Sequence, residues 1–300
     1  MRAFRAMGTE IAVTACGDEA AIAARVHQTF AAAERRFSRF DADSELSRLN
    51  RAEGPFPASP ELFAALVRAR GYVALTGGIF DPGVGGAVIA AGYDRPYAPG
   101  ALDRAAPAAP GAPCAGSLRD VALDEGRGVV TRPPHVRLDL GGMIKGATVD
   151  RAATQLGACG AIDAGGDAYL RGTTPAGERW LVEVEDPRDP ARTVVTVAVT
   201  DAAVATSAAN RRRWRRGDRW AHHLIDPRTR RCASEDLLQA TVLAPTTELA
   251  DVLAKTAFIL GARAAIALLA GVPRVAAVLV PRAGPPILLG PLDVREGGHA

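Results

Sequence analysis

The sequence has no apolar stretch approaching the ~18 uncharged residues that a membrane-spanning helix needs. Its most apolar helical region, 249–269, is interrupted by Asp251, Lys255 and Arg263. Residues 1–10 lack the apolar core of a secretion signal, so the expected setting is the cytoplasm. The four cysteines, Cys16, Cys114, Cys159 and Cys232, are far apart and form no CxxC pair. That spacing argues against a zinc site and gives no disulfide scaffold, so four structural thiols are expected. A large excess of one charge is also missing. The net charge of +3 is too small to imply a nucleic-acid partner. No internal repeat recurs at a fixed period.

The scarcest charged residue is lysine. Of 36 Lys plus Arg, only Lys145 and Lys255 are lysine. Arginine is a planar fork and lysine a point charge on a flexible stem, so the two are not interchangeable at a tight site. Both lysines fall inside motif-like segments.

What is present is a globular chain: 48% of 300 residues are apolar, enough for a sizeable core. Alternation predicts strands over 4–15 and 129–140, and a strand, turn and strand over 161–171. Strands are also expected at 180–185 and 193–200, paired across a turn, and at 238–243, 275–280 and 286–289. Helices are expected over 18–37 with Asp18 as N-cap, from Ser44-Glu45-Leu46, and over 59–76 with Ser59 at N-cap and Pro60 at N1. Further helices are expected over 141–156, 247–260 and 262–270. Residues 96–117, rich in Pro, Ala and Gly, read as an irregular surface excursion. Strands and helices mix without strict βαβ alternation, which favours an α+β fold with a mixed or largely antiparallel sheet.

Five segments could carry chemistry. In 138–146 a strand delivers Asp139, Gly141 and Gly142 turn the chain, and Lys145 lies in the first turn of a helix, where free N–H groups suit a phosphate. An ordinary strand-to-helix turn would use the same residues. The turn Asp163-Ala164-Gly165-Gly166-Asp167 is explained equally by backbone geometry. The run from Arg211 to Trp220 could stack on bases, or be a solvated loop. His222 and His223 are adjacent, and in a strand only one could face a site; a histidine there could be a general base or a backbone-bonded residue. Asp251 and Lys255 are i and i+4 on one helix, able to form an ion pair, while Asp251 could instead hold a hard cation such as Mg²⁺.

Taken in order, the motifs resemble those of the FAD:protein FMN transferase (ApbE-like) family. They are Met7-Gly8-Thr9, Phe37-Ser38-Arg39-Phe40, Ser44-Glu45-Leu46, Leu49-Asn50, and Thr76-Gly77-Gly78-Ile79-Phe80-Asp81-Pro82. The segment from Asp139 to Lys145 follows with Val149-Asp150, then the 163–167 turn, Ala205-Thr206-Ser207, His223-Leu224-Ile225-Asp226-Pro227 and the Asp251 helix. The resemblance implies one ApbE-like, T-fold-like domain over 1–300. It implies an enzyme that binds FAD and, with Mg²⁺, transfers FMN to a threonine of an acceptor flavoprotein, releasing AMP. Flavin-site positions carried over are Met7, Phe40, Ile79, Phe80, Asp81, Asp139, Lys145 and Ile225. The implied metal ligands are the Gly142 carbonyl and the Asp251 carboxylate, and His223 would take the proton from the attacking hydroxyl. The sequence departs from the family's pattern at Gly83, Ala147 and Ala208. Above all, Lys255 stands where a metal-ligating threonine is usual. That departure keeps an alternative open: a non-catalytic FAD carrier or sensor, or an FAD diphosphatase.

Overall fold

The computed structural model describes residues 1–104, 116–234 and 236–295. The centre of the expected 96–117 excursion, 105–115, lies outside the described residues. The chain divides into two compact units, one of residues 1–31, 145–208 and 235–300, the other of 32–144 and 209–234.

The first unit is built on an eight-stranded sheet. Its strands run edge to edge as Arg2–Ala6, Thr9–Ala15, Gly160–Asp163, Asp167–Arg171, Ala202–Ala208, Leu237–Ala244, Ala276–Pro281 and Ile287–Leu289. Every neighbouring pair is antiparallel. The period-2 alternation sorts side chains to two faces. Ile11, Val13, Ile162 and Tyr169 pack with Ile22, Val26 and Phe30 of the helix Glu19–Phe37 and with Val149 and Ala152 of the helix Ile144–Ala153. Leu170, Val204 and Leu243 instead pack with Val197 and Val199. These belong to a three-stranded sheet of Val294–Arg295, Asp189–Val199 and Trp180–Asp186. The α+β expectation holds, with largely antiparallel sheets. The helices Thr247–Leu260 and Ala262–Ala270 have the predicted bounds, with Thr246 accepting from the Leu249 N–H at the cap and Gly261 between them at φ 79°.

Several expected elements are corrected. The strand read over 4–15 is two strands, because Met7 and Gly8 take φ of 50° and 72° and close a two-residue hairpin between Ala6 and Thr9. The strand read over 129–140 is only Val129–Thr131, since Pro133 and Pro134 follow at once and cannot donate to a ladder. The helix read from 141 starts at Ile144 after a turn. The arginine-rich stretch is a hairpin, Arg213–Arg216 with Arg219–His222, rather than a loop. The cysteine reading changes most. Cys16 and Cys159 form a disulfide with Cα atoms 5.6 Å apart, so they are not free thiols. The pairing of Thr9–Ala15 with Gly160–Asp163 brings them together across 143 residues of sequence. Cys232 is free, and Cys114 lies outside the described residues.

The second unit holds the helices Glu45–Arg51, Pro60–Leu75 and Gly85–Ala90, and a small sheet ordered Pro55–Pro57, Val129–Thr131, Ala122–Asp124. Ser59 caps its helix as expected, and Ser44 is the N-cap of the helix read from Ser44-Glu45-Leu46. A core of Val88, Tyr93, Leu102, Trp214, Ala221 and Ile225 ties 85–102 to the 213–232 ribbons.

Candidate active site

In the first unit, four charged side chains converge. Lys145, on the first turn of the helix Ile144–Ala153, is ion-paired with Asp167 and donates to the Ala164 carbonyl at 2.8 Å. Lys255 is ion-paired with Asp251 one turn before it on the helix Thr247–Leu260. Asp167 and Asp251 keep only 3% and 7% of their side-chain surface. Burial pushes the Asp251 carboxyl up to about 6; the charge of Asp167 adds to the rise, and Lys255 and Lys145 oppose it. The two lysines of the chain thus sit in one buried group with two carboxylates.

Close backbone approaches hold this group in place. A Cβ on Gly146 would lie 2.6 Å from the Thr247 carbonyl oxygen, so glycine lets the two helix starts touch. Asp150 accepts from the Thr247 and Glu248 N–H groups at 2.6 and 2.9 Å, a carboxylate at the positive end of that helix. Gly165 packs on Thr9, whose Oγ1 would be 2.1 Å from an added Cβ. The glycine turn is therefore the seat of Lys145, and Asp167 is a site residue that a reading of the isolated turn misses. Met7 forms the hairpin turn beside Thr9 and packs against the helix-side core.

In the second unit, Asp139 is held by Arg39. The Arg39 Nε donates to Asp139 Oδ2 at 2.8 Å and its Nη1 to the Tyr93 carbonyl at 2.7 Å. The guanidinium carbon lies 4.1 Å from the centre of the Phe40 ring and 4.5 Å from that of Tyr93. Asp139 Oδ1 accepts from the Gly141 N–H at 2.8 Å, which shapes the turn carrying Gly142. Asn50 clamps the preceding Leu138 through its N–H and its carbonyl, both at 2.8 Å. Arg39 lies in the Phe37-Ser38-Arg39-Phe40 motif, and nothing local to that motif signals its contact with Asp139, 100 residues away.

Asp81 is almost wholly engaged by its own chain. It accepts from Gly83 N–H at 2.7 Å, Leu118 N–H at 2.9 Å and the Ser117 hydroxyl at 2.5 Å. A Cβ at Gly83 would already lie 2.6 Å from the Ser117 Cα, which accounts for glycine there. Ile79 and Phe80 are buried beside it, and Phe80 meets Tyr72 edge-on. Ile225 is buried in the Tyr93–Trp214 core. The strand Arg219–His222 ends before His223. The His222 Nε2 donates to the Ala233 carbonyl at 2.9 Å and its Nδ1 accepts from Leu224 N–H at 3.3 Å, so both ring nitrogens of His222 are engaged by backbone. His223 is half-buried.

The donor set is a poor fit for a divalent cation. Mg²⁺ demands a near-octahedral shell of oxygens. Among the described residues, no group of three or more His, Cys, Asp or Glu is placed to hold a metal. Asp251 Oδ2 is buried without a hydrogen-bond partner and could accept one, but Lys255 occupies Oδ1 and Lys145 adds a second positive charge nearby. Both ammonium groups are committed to these carboxylates, and Lys145 also lies at a helix start, the end of a helix that favours negative charge.

Solved structures share this fold. The ApbE protein of Thermotoga maritima superposes with a TM-score of 0.85 at 23% identity, covering 96% of both chains. The flavin transferase ApbE of Vibrio cholerae gives 0.80, also at 23% identity and 96% of both. In sequence, the FAD:protein FMN transferase of Treponema pallidum is 31% identical over 265 residues, 79% of this chain and 71% of that protein. That of Rhodobacter capsulatus is 32% identical over 228 residues, 73% of this chain and 43% of that protein. The ApbE family model matches residues 7–279, and the chain belongs to the ApbE family.

Proposed function

We propose that the chain is an FAD:protein FMN transferase, whose substrates are FAD and an acceptor protein. The observation that carries this reading is the family match over 7–279, which takes in every candidate site position, joined to relatives that bear this activity in their names. The reading treats 1–300 as one functional domain.

The proposed reaction is attack by a threonine hydroxyl oxygen of the acceptor on the phosphorus of the FMN half. The bond to the bridging oxygen breaks, and its electron pair leaves with AMP. The hydroxyl proton goes to His223, an imidazole able to act as general base. Lys145, at the start of its helix, favours the diphosphate. Within the second unit, Phe40, Ile79, Phe80 and Ile225 supply apolar surface for the ring system, and Asp139, oriented by Arg39, accepts from its polar edge. Asp81 contributes by holding the turn that carries Ile79 and Phe80. The family resemblance implies Mg²⁺, and the donors around Asp251 do not fit it.

No helix among the described residues is long and apolar enough to cross a membrane. Cytoplasmic residence, expected from the sequence, conflicts with the Cys16–Cys159 bond, since such bonds persist in oxidising compartments. The redox state of that pair in cells decides between them.

The test is an equilibrium titration with FAD, read by flavin fluorescence, for wild type and Lys145→Met. Saturable binding weakened about tenfold or more in the variant, the equivalent of about 1.4 kcal/mol, is expected. No binding by the folded wild type would reduce the relationship to a shared fold.

A further inference from the structure

The chain writes positive charge as arginine 34 times in 36, yet the two exceptions share one buried carboxylate pair. A pairing of surface residues would be indifferent to this choice; a small buried site is not. An ammonium is compact enough to lie against one carboxylate oxygen within a single helical turn, where a guanidinium fork needs more room. Lys255 donates to Asp251 Oδ1 and also lies 3.4 Å from the Asp251 carbonyl oxygen, so it is folded back onto its own helix. Its side chain keeps 15% of its surface, and that of Lys145 14%. Neither is a waving surface lysine.

We propose that Lys255 is the resident cation of the Asp251 carboxylate: it takes the place of a divalent cation there, and this protein binds the diphosphate of FAD without one. The inference rests on the transferase reading for its ligand, but not for its claim about metal. Two features support it. The carboxylates and ammonium groups already balance two against two, so neutrality of the group requires no added ion. A divalent cation would also have to approach a single open oxygen, Asp251 Oδ2, against two ammonium charges that act on the same carboxyl.

The experiment uses the purified full chain and two arms. In the first, FAD is titrated in buffer with Mg²⁺ and again with excess chelator. In the second, Mn²⁺ binding is followed by electron paramagnetic resonance, with and without FAD, for wild type, Lys255→Thr and Lys255→Gln. The expected results are a wild-type FAD Kd that changes by less than about twofold on chelation, no stoichiometric Mn²⁺ on the wild type, and acquired Mn²⁺ binding in whichever variant melts cooperatively. A loss of FAD affinity of about tenfold or more on chelation would overturn the proposal, as would one tightly held Mn²⁺ on the wild type. A folded variant that still binds no Mn²⁺ would show that Lys255 is not what keeps the cation out. If FAD binds under no condition, the transferase reading fails, while the Mn²⁺ arm still decides the role of Lys255.

Discussion

Lys255 lies one helical turn beyond Asp251, and its ammonium rests on the carboxylate of that residue inside a largely buried group. Removing one partner of such a pair leaves the other charge without compensation in a low-dielectric site. Lys255→Met should therefore destabilise the fold by about 3–5 kcal/mol, and Asp251→Asn combined with Lys255→Met should recover most of the loss. Urea denaturation of the wild type and the two variants measures this. Equal stability of wild type and Lys255→Met would mean that the pair is solvated and weak.

Gly165 carries a φ of 67° and stands against Thr9. Gly165→Ala must strain the backbone and drive a methyl group into the Thr9 side chain. A loss of about 1–3 kcal/mol is expected, the range for overpacking. Thr9→Ala should relieve the contact and leave the backbone strain, so the double variant is more stable than the sum of the singles allows. Strict additivity in thermal melts would deny that the two residues touch.

Asp81 offers a clean separation of fold from ligand. Its carboxylate accepts from three donors of its own chain, so Asp81→Asn removes the charge that strengthens those bonds and turns an N–H toward Ser117, whose hydroxyl must change from donor to acceptor. The expected result is a lowered melting temperature, from a loss of about 1–3 kcal/mol. Weakened FAD binding at an unchanged melting temperature would instead give Asp81 a direct ligand role.

The cysteines can be counted. Among the described residues Cys16 and Cys159 are joined and Cys232 is free, so in unfolded, unreduced protein Cys232 should be alkylated and Cys16 and Cys159 should not, while reduced protein takes up four groups. In the native state Cys232 should react slowly, because burial raises its thiol pKa and keeps it protonated. Mass spectrometry after alkylation reads both. Four groups without reduction would mean that Cys16 and Cys159 are a dithiol.

Much of this was legible in the sequence because it is local. Caps at Ser44 and Ser59, the bounds of the helix at 247–260 and the paired strands near 180–199 follow from residues within a few positions of each other. Local signals also failed where a turn interrupts an apolar alternation, as at Met7 and Gly8, which keeps the period and hides the reversal. Contacts made by long-range register were invisible. Nothing near Cys16 announces Cys159, and nothing near Lys145 announces that its partner is Asp167, a residue the turn glycines explain without it. The rarity of lysine was the exception. It marked both positions before any geometry was known, although composition could not say that they share one group.

The central claim is transfer of FMN from FAD to protein, and the direct measurement supplies both products. The chain is incubated with FAD and an acceptor protein that the curated relatives flavinylate. Covalent flavin on the acceptor is then read by fluorescence in a denaturing gel, and AMP by chromatography. The account predicts acceptor-bound flavin and AMP appearing in equal amounts, both lost when the acceptor threonine is changed to alanine. AMP and free FMN without labelled acceptor would contradict transfer and identify hydrolysis, and neither product from a chain that binds FAD would identify a carrier.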